Sequence, residues 1–123
     1  MAKILIVDDA KIMRIQIKKI LEGLGHTVVG EAASGYEAID KYKLLKPDLV
    51  TMDITMPAIQ GIADGIEAVS EIIAIDKTAK IIMITSHGEQ DKVIKAIQNG
   101  ASNYMLKPLQ QDKLKDIIDK LVP

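Results

Sequence analysis

Residues 3–9 read KILIVDD, an apolar run that ends directly in two adjacent carboxylates. The run predicts a strand at 3–8, because continuous apolar runs are typical of strands that are buried on both faces of a sheet. Two similar runs follow, DLVTMD at 48–53 and KIIMIT at 80–85. Strands covered on both faces belong to parallel sheets, because the crossover helices pack on either side. The stretch therefore predicts an α/β fold, and it raises the question of why Asp8 and Asp9 stand together.

The remaining segments complete a regular alternation of strands and helices. Two further strands are predicted, TVVGEA at 27–32 and SNYML at 102–106; we expect both near the sheet edges, because one is more polar and the other is short. Amphipathic spacing predicts five helices, at about 11–24, 35–45, 65–75, 89–99 and 110–121. Five β-α repeats build one doubly wound, five-stranded parallel sheet with right-handed crossovers. We expect residues 1–123 to form a single domain.

Short polar motifs mark where three of these helices begin. Ser34 with Glu37, and Ser86 with Glu89, have the three-residue spacing of a capping box. The sequence DGIE at 64–67 places a similar pair before the third helix. These motifs predict side-chain caps at the three helix starts.

The composition argues against several classes of protein. The chain has 123 residues, of which 48% are hydrophobic, so it can build a full core. Its 16 basic and 17 acidic residues give no basic surface for nucleic acid and no polybasic membrane anchor. The absence of Trp and Phe leaves no platform for base stacking, and the absence of Cys excludes disulfides and thiolate metal sites. With no signal-peptide pattern and no long apolar run, we expect a cytoplasmic, monomeric protein without membrane insertion.

Polar side chains gather where the predicted strands end. Asp8 and Asp9 follow the first strand, and the third, fourth and fifth strands end in Asp53, Thr85 and Lys107. In a parallel sheet these ends share one edge, and ligands bind there at the point where the strand order reverses. We therefore expect three carboxylates, a hydroxyl and an ammonium group to converge at this edge.

Three clustered carboxylates repel one another unless a cation lies among them. Oxygen ligands of this kind suit Mg²⁺, and Lys107 would add one more positive charge. A metal ion, a lysine and a hydroxyl together match the needs of a transferring phosphoryl group, whose oxygens must be neutralised and held. One carboxylate could then act as the nucleophile and form an aspartyl phosphate.

Each of these residues taken alone has a plainer interpretation. Asp9 fits an N-cap of the following helix about as well as it fits a metal ligand. Asp53 or Thr85 alone is more often a cap, turn or strand residue, and Lys107 before a proline fits a surface lysine. His87 in a loop before a helix fits a solvated side chain. The functional interpretation depends on the occurrence of these residues together at the correct strand ends.

The ordered motifs resemble the receiver domains of two-component response regulators. The matching pieces are VDD (7–9), MDITMP (52–57), DGIEA (64–68), MITS (83–86), NGAS (99–102) and LKP (106–108). The resemblance covers the whole chain and is strongest to stand-alone receivers of the chemotaxis type. It implies a flavodoxin-like sheet with the strand order 2-1-3-4-5.

The resemblance implies roles for the residues around the phosphorylation site. Asp53 would accept the phosphoryl group, Lys107 would pair with one of its oxygens, and the Thr85 hydroxyl would move inward to bond another. Tyr104 matches the aromatic residue that swings inward with this threonine, so that Thr85 and Tyr104 form the switch. The Lys107–Pro108 peptide bond is expected to be cis.

The resemblance also implies a metal site and two adjustable positions beside it. Asp9 would ligate Mg²⁺ directly and Asp8 mainly through water, together with Asp53 and the backbone carbonyl of Thr55. Thr55 and His87 match the variable positions that adjust dephosphorylation in this family.

For function, the resemblance implies a switch that assists its own phosphorylation and dephosphorylation but is not a conventional enzyme. A histidine kinase would act upstream, a flagellar or archaellar motor switch protein or an adaptor would bind the surface at 89–121, and a phosphatase is a further partner. Two alternatives stay open: a receiver that serves as a phosphorelay intermediate or phosphate sink, and a Mg²⁺-dependent phosphohydrolase.

Two features depart from the family pattern. Pro57 and Asp64 are separated by six residues, AIQGIA at 58–63, where the family has about two. Leu109 stands where an aromatic residue usually follows the Lys-Pro pair. We expect the longer loop to leave Asp53 in register while altering contacts made through the loop.

Overall fold

A computed structural model describes residues 1–62 and 64–123. The strands are β1 (Lys3–Val7), β2 (Thr27–Ala32), β3 (Leu49–Asp53), β4 (Ile81–Thr85) and β5 (Asn103–Leu106). The helices are α1 (Lys11–Gly23), α2 (Gly35–Leu45), α3 (Gly65–Ile75), α4 (Gln90–Gln98) and α5 (Gln111–Leu121). Every predicted element is present, with boundaries that agree within one residue. Among the described residues, no helix has the length and apolar character needed to cross a membrane.

The strands form one parallel sheet in the order β2-β1-β3-β4-β5. This order confirms the predicted doubly wound, flavodoxin-like fold and the placement of β2 and β5 at the edges. The direction of the strand order reverses between β1 and β3, so the ends of these two neighbours flank the crevice in which such sheets bind ligands.

The core has two layers, because successive residues of a strand point to opposite faces of the sheet. Ile4 and Ile6 of β1 pack with the buried side chains of α1 and α5. Leu5 and Val7 of the same strand pack with those of α2, α3 and α4. The apolar run of β1 is therefore covered on both faces, as the sequence predicts. The carboxylates that follow β1 and the one that ends β3 lie at the edge of this packed sheet.

The predicted caps form at two of the three helices. Ser34 Oγ accepts a hydrogen bond of 3.2 Å from the Glu37 N–H, and the equivalent bond of 3.0 Å forms at the start of α3. The prediction for the fourth helix is only half right. The Glu89 carboxylate does accept the Ser86 N–H at 2.8 Å, but α4 begins without a side-chain cap. The Glu89 carboxylate also accepts hydrogen bonds from side chains at the ends of β3 and β4.

Candidate functional site

The carboxyl ends of β1 and β3 bring three carboxylates together. Asp8 and Asp9 directly follow β1, and Asp53 is the last residue of β3. One carboxylate oxygen from each lies within 4.8 Å of the other two. The side chains differ in exposure, since Asp8 is 1% and Asp53 6% exposed, whereas Asp9 faces solvent. The carboxylates converge as the strand ends predict, and two of the three are withdrawn from water.

Lys107 brings a positive charge into this cluster. Its Nζ lies 3.6 Å from Asp8 Oδ2 and 3.6 Å from Asp53 Oδ1. The side chain is mostly buried, and the Lys107–Pro108 peptide bond is cis, as predicted. The interpretation of Lys107 as a plain surface lysine is therefore wrong, because its ammonium group offsets part of the repulsion between two buried acids.

Asp53 is costly to ionise in this setting. Burial raises its pKa to about 6; the charges of Asp8 and Asp9 act in the same direction, while Lys107 and the Ile54 N–H act against them. The Ile54 N–H donates to Asp53 Oδ1 at 3.0 Å. A single lysine thus leaves the cluster short of positive charge when the acids are ionised.

The two oxygens of the Asp8 carboxylate have different surroundings. Oδ1 accepts a hydrogen bond of 2.9 Å from the Ala10 N–H. Oδ2 is buried and has no hydrogen-bond partner within residues 1–62 and 64–123. Its ion pair with Lys107 Nζ, at 3.6 Å, is too long for a hydrogen bond. A buried carboxylate oxygen without a hydrogen bond is unfavourable, and a hard divalent cation would satisfy it. The all-oxygen donor set fits Mg²⁺, the ion expected from the sequence.

Asp9 does not cap the first helix. The residue at the N-cap position of α1 is Ala10, whose side chain makes no cap hydrogen bond. The capping alternative for Asp9 is therefore wrong. Its exposed carboxylate is left available beside the two buried ones.

Arg14 fixes the loop that carries the aspartate pair. Its Nη1 donates to the Asp8 carbonyl oxygen at 2.7 Å, and its Nε donates to Glu31 Oε1 at 2.9 Å. Lys41 donates in turn to the Glu31 carbonyl oxygen. The sequence reasoning missed this support, although one signal was present: Arg14 is the only arginine among the 16 basic residues. A planar guanidinium that binds two acceptors is not replaceable by lysine.

The Thr85 hydroxyl at the end of β4 is buried and already has an acceptor. It donates to Glu89 Oε1 at 2.9 Å, and the Ser86 N–H donates to the same oxygen at 2.8 Å. The Thr55 hydroxyl donates to Glu89 Oε2 at 2.7 Å. Burial alone would raise the pKa of Glu89, but these three hydrogen bonds and the Lys92 charge hold it below its usual value. Glu89 therefore joins two of the residues singled out in the sequence.

Two other residues singled out in the sequence lie at the rim. Tyr104 on β5 is 46% exposed and borders a groove between α4 and β5. His87 is exposed in the loop between β4 and α4. The structure thus brings Asp8, Asp9 and Asp53 together with Lys107, and it leaves Tyr104 and His87 outside that cluster.

The long loop after β3 folds into a closed turn. The Ile59 N–H donates to the Ile62 carbonyl oxygen at 3.1 Å, and the reverse bond is 3.0 Å. Gln60 and Gly61 lie between them with φ angles of 53° and 82°, as in a two-residue hairpin turn. Of the loop predicted at 58–63, Ala63 lies outside the described residues. The turn takes up extra chain length while Asp53 keeps its place at the end of β3.

Known proteins with similar sequences and structures place this site in a family. Residues 4–119 match the family described as the response regulator receiver domain. The chemotaxis protein CheY of Bacillus subtilis is 52% identical over 118 residues, covering 96% of this chain and 95% of that protein. CheY of Thermotoga maritima is 47% identical over 119 residues, covering 97% and 96%. The crystal structure of a CheX–CheY–BeF3–Mg²⁺ complex from Borrelia burgdorferi superimposes with a TM-score of 0.87 at 35% identity, covering 98% of this chain and 90% of that chain. The chain therefore belongs to the response regulator receiver domain family.

Proposed function

We propose that this chain is a phospho-accepting signalling switch in which Asp53 takes up a phosphoryl group. The observation that carries the proposal is the charge arrangement around Asp53. Its carboxylate is buried beside Asp8, whose Oδ2 has no hydrogen-bond partner within the described residues, and both acids lie 3.6 Å from Lys107 Nζ. This arrangement is unfavourable as it stands. A bound cation would offset the repulsion between the acids, and the cation and Lys107 could then also hold the negatively charged oxygens of a phosphoryl group.

In the proposed reaction, a carboxylate oxygen of Asp53 attacks the phosphorus of a phosphohistidine on a histidine kinase, or of acetyl phosphate. A new O–P bond forms while the bond from phosphorus to the leaving nitrogen or oxygen breaks, and the leaving group keeps that electron pair. Lys107, whose Nζ lies 3.6 Å from Asp53 Oδ1, would pair with a phosphoryl oxygen. Asp8, Asp9, Asp53 and the Thr55 carbonyl would hold Mg²⁺, which would supply the positive charge that phosphoryl transfer requires.

The signal would leave the site through Thr85 and Tyr104. In the proposed active arrangement the Thr85 hydroxyl moves to a phosphoryl oxygen, and the exposed Tyr104 ring turns into the space that this movement opens. The responding surface is formed by α4, β5 and α5. It contains a groove of about 450 Å³ with an apolar lining that includes Val93, Ile97 and Leu106. A partner that prefers the active arrangement would bind there and stabilise it.

The similarity to chemotaxis proteins CheY supports a place in chemotaxis. We propose a histidine kinase as the phosphoryl donor and a motor switch protein or an adaptor as the downstream partner, in the cytoplasm. Residues 1–123 would act as one monomeric domain, and Thr55 and His87 would adjust the lifetime of the phosphoryl group, with or without a phosphatase. In a phosphorelay intermediate or phosphate sink, phosphorylation would leave the affinity of the groove for a target unchanged.

Intact-mass spectrometry after incubation with acetyl phosphate tests the phosphoryl acceptor. We expect one phosphoryl adduct on the wild-type chain in Mg²⁺ and its loss in excess EDTA. Asp53→Asn keeps the size of the side chain but removes the nucleophilic carboxylate, so this variant should carry no adduct. An adduct of equal yield on Asp53→Asn would disprove the assignment, and continuous turnover of donor without an adduct would favour a phosphohydrolase.

Nuclear magnetic resonance with the phosphoryl mimic beryllium fluoride and Mg²⁺ tests the output surface. We expect backbone amide shifts across residues 89–121 in addition to those near Asp53, because the switch moves α4 and β5 together. Shifts that stay confined to the ends of β1 and β3 would show that the groove does not respond.

A further inference from the structure

The carboxylate of Glu89 accepts hydrogen bonds from residues at the ends of two strands. Thr55 follows β3, whereas Thr85 and Ser86 stand at the end of β4, and all three donate to this side chain at 2.7–2.9 Å. Glu89 itself directly precedes α4. One side chain thus ties two loops at the mouth of the site to the beginning of the helix that borders the groove.

The hydrogen bond from Thr85 to Glu89 conflicts with the proposed active arrangement. A hydroxyl group has one hydrogen to donate, so Thr85 cannot give a full hydrogen bond to Glu89 and to a phosphoryl oxygen at once. An aspartyl phosphate would also add roughly one to one and a half negative charges at Asp53, two residues before the Thr55 that binds Glu89, by analogy with other phosphorylated side chains. Phosphorylation therefore both attracts the Thr85 hydroxyl and repels its present acceptor.

From this geometry we propose that Glu89 is a latch that holds Thr85 in the inactive arrangement and releases the start of α4 when Asp53 is phosphorylated. The inference deepens the proposed function and rests on it, since it assigns a positioning residue to the same site. Glu89 acts through Thr85 and Thr55, not on the phosphoryl group itself. By stabilising the inactive state, it sets how readily the unphosphorylated protein reaches the active one.

A purely structural role predicts a different result. A carboxylate at the beginning of a helix stabilises that helix through its N-terminal N–H groups and dipole. If this were its only role, removing Glu89 would lower the thermal stability without favouring the active arrangement. The affinity for beryllium fluoride separates the two roles, because that mimic binds the active arrangement.

The test compares Glu89→Gln and Glu89→Ala with the matched control Asp91→Asn. Asp91 is exposed in the first turn of α4, so its replacement removes one nearby negative charge and leaves the three hydrogen bonds of Glu89 in place. We expect Glu89→Ala to bind beryllium fluoride with Mg²⁺ about three- to tenfold more tightly and to gain the acetyl phosphate adduct faster by a similar factor. Glu89→Gln keeps an acceptor oxygen without the charge and should fall between Glu89→Ala and the wild type. Asp91→Asn should match the wild type in both measurements.

A double-mutant cycle shows whether the effect passes through Thr85. In a Thr85→Ala background, Glu89→Gln should change the affinity for beryllium fluoride clearly less than it does in the wild-type background, because the hydrogen bond from Thr85 is already absent and only the one from Thr55 remains. A full effect in that background would overturn the latch. Circular dichroism establishes whether each variant is folded. If Glu89→Ala does not fold, the result for Glu89→Gln alone tests the latch.

The outcomes distinguish this inference from the proposed function. If the wild-type chain gains no adduct with Mg²⁺ and acetyl phosphate, the proposed function fails and the latch fails with it. If the wild type is phosphorylated and both Glu89 variants bind the mimic as the wild type does, only the latch is wrong. Weaker binding of the mimic by both variants would also overturn it, since Glu89 would then assist the active arrangement.

Discussion

In metal-free buffer at pH 7, Asp53→Asn should raise the free energy of unfolding by about 1–3 kcal/mol, although it removes the proposed phosphoryl acceptor. The reason is the state of this side chain in the fold. Burial, together with the charge of Asp8, raises the pKa of Asp53 to about 6, so at neutral pH the protein carries an ionised carboxylate that the fold disfavours. An amide of the same size removes that charge and the repulsion with Asp8.

The gain in stability should depend on pH with a defined sign. Because the pKa is raised from 3.8 to about 6 in the folded state, the group contributes stability below pH 3.8 and loses that contribution as the pH rises through about 6. The difference between Asp53→Asn and the wild type should therefore be small near pH 4, grow between pH 4 and 6, and level off above it. Urea denaturation followed by circular dichroism in EDTA measures this difference.

Adding Mg²⁺ should make the wild type more stable than Asp53→Asn. If the three acids hold Mg²⁺, adding the ion stabilises the wild type by mass action, and Asp53→Asn gains less because it has lost a ligand. Asp91→Asn is the control, since it removes an exposed charge outside the cluster. Equal unfolding curves for Asp53→Asn and the wild type in EDTA at pH 7 would contradict the unfavourable charge cluster from which we inferred the switch.

The fold and the acidic cluster were predictable because their signals are local in sequence and fixed by topology. The run from Ile4 to Val7 is buried along its whole length, as is typical of a short strand covered on both faces. Once the strands are parallel, the residue after each strand must lie at one edge of the sheet. Asp8, Asp53 and Lys107 therefore meet although they are far apart in sequence.

The supporting residues were not predictable by the same reasoning. Glu89 has the spacing of a capping residue, but its carboxylate also accepts hydrogen bonds from Thr55 and Thr85, which are distant in sequence or lie on another element. Arg14 lies on a helix without any local motif, and its partners are a backbone carbonyl and Glu31 from β2. Pairings of this kind depend on how separate elements pack, and sequence spacing alone carries no information about them.

Gly65→Ala should lower the free energy of unfolding by about 2–4 kcal/mol, the largest effect we expect from adding one methyl group to this chain. A Cβ at Gly65 would lie 2.0 Å from the carbonyl oxygen of Asp53, which is part of the backbone and cannot turn away. The Gly65 N–H also donates to the Ile54 carbonyl oxygen at 2.8 Å. The beginning of α3 is thus pressed against the end of β3, and only glycine allows this approach.

The same substitution should impair the site itself. To admit the methyl group, the backbone at Asp53 or the first turn of α3 must shift, and Asp53 would move relative to Lys107 and Asp8. We expect slower formation of the acetyl phosphate adduct at temperatures where Gly65→Ala remains folded, because phosphoryl transfer depends on the positions of these groups. Urea denaturation gives the stability, and intact-mass spectrometry over time gives the rate.

Gly23→Ala is the matched control, since it adds the same methyl group to another helix. At Gly23, the last residue of α1, the nearest heavy atom to the added Cβ is Gln111 Nε2 at 4.0 Å, which is an ordinary contact. Alanine is the better helix former, so Gly23→Ala should leave the stability unchanged or raise it by up to about 0.5–1 kcal/mol. The two variants should therefore move the unfolding midpoint in opposite directions or by clearly different amounts. Equal midpoints would show that α3 does not press on the strand that carries Asp53, and the position of that carboxylate would then need another explanation.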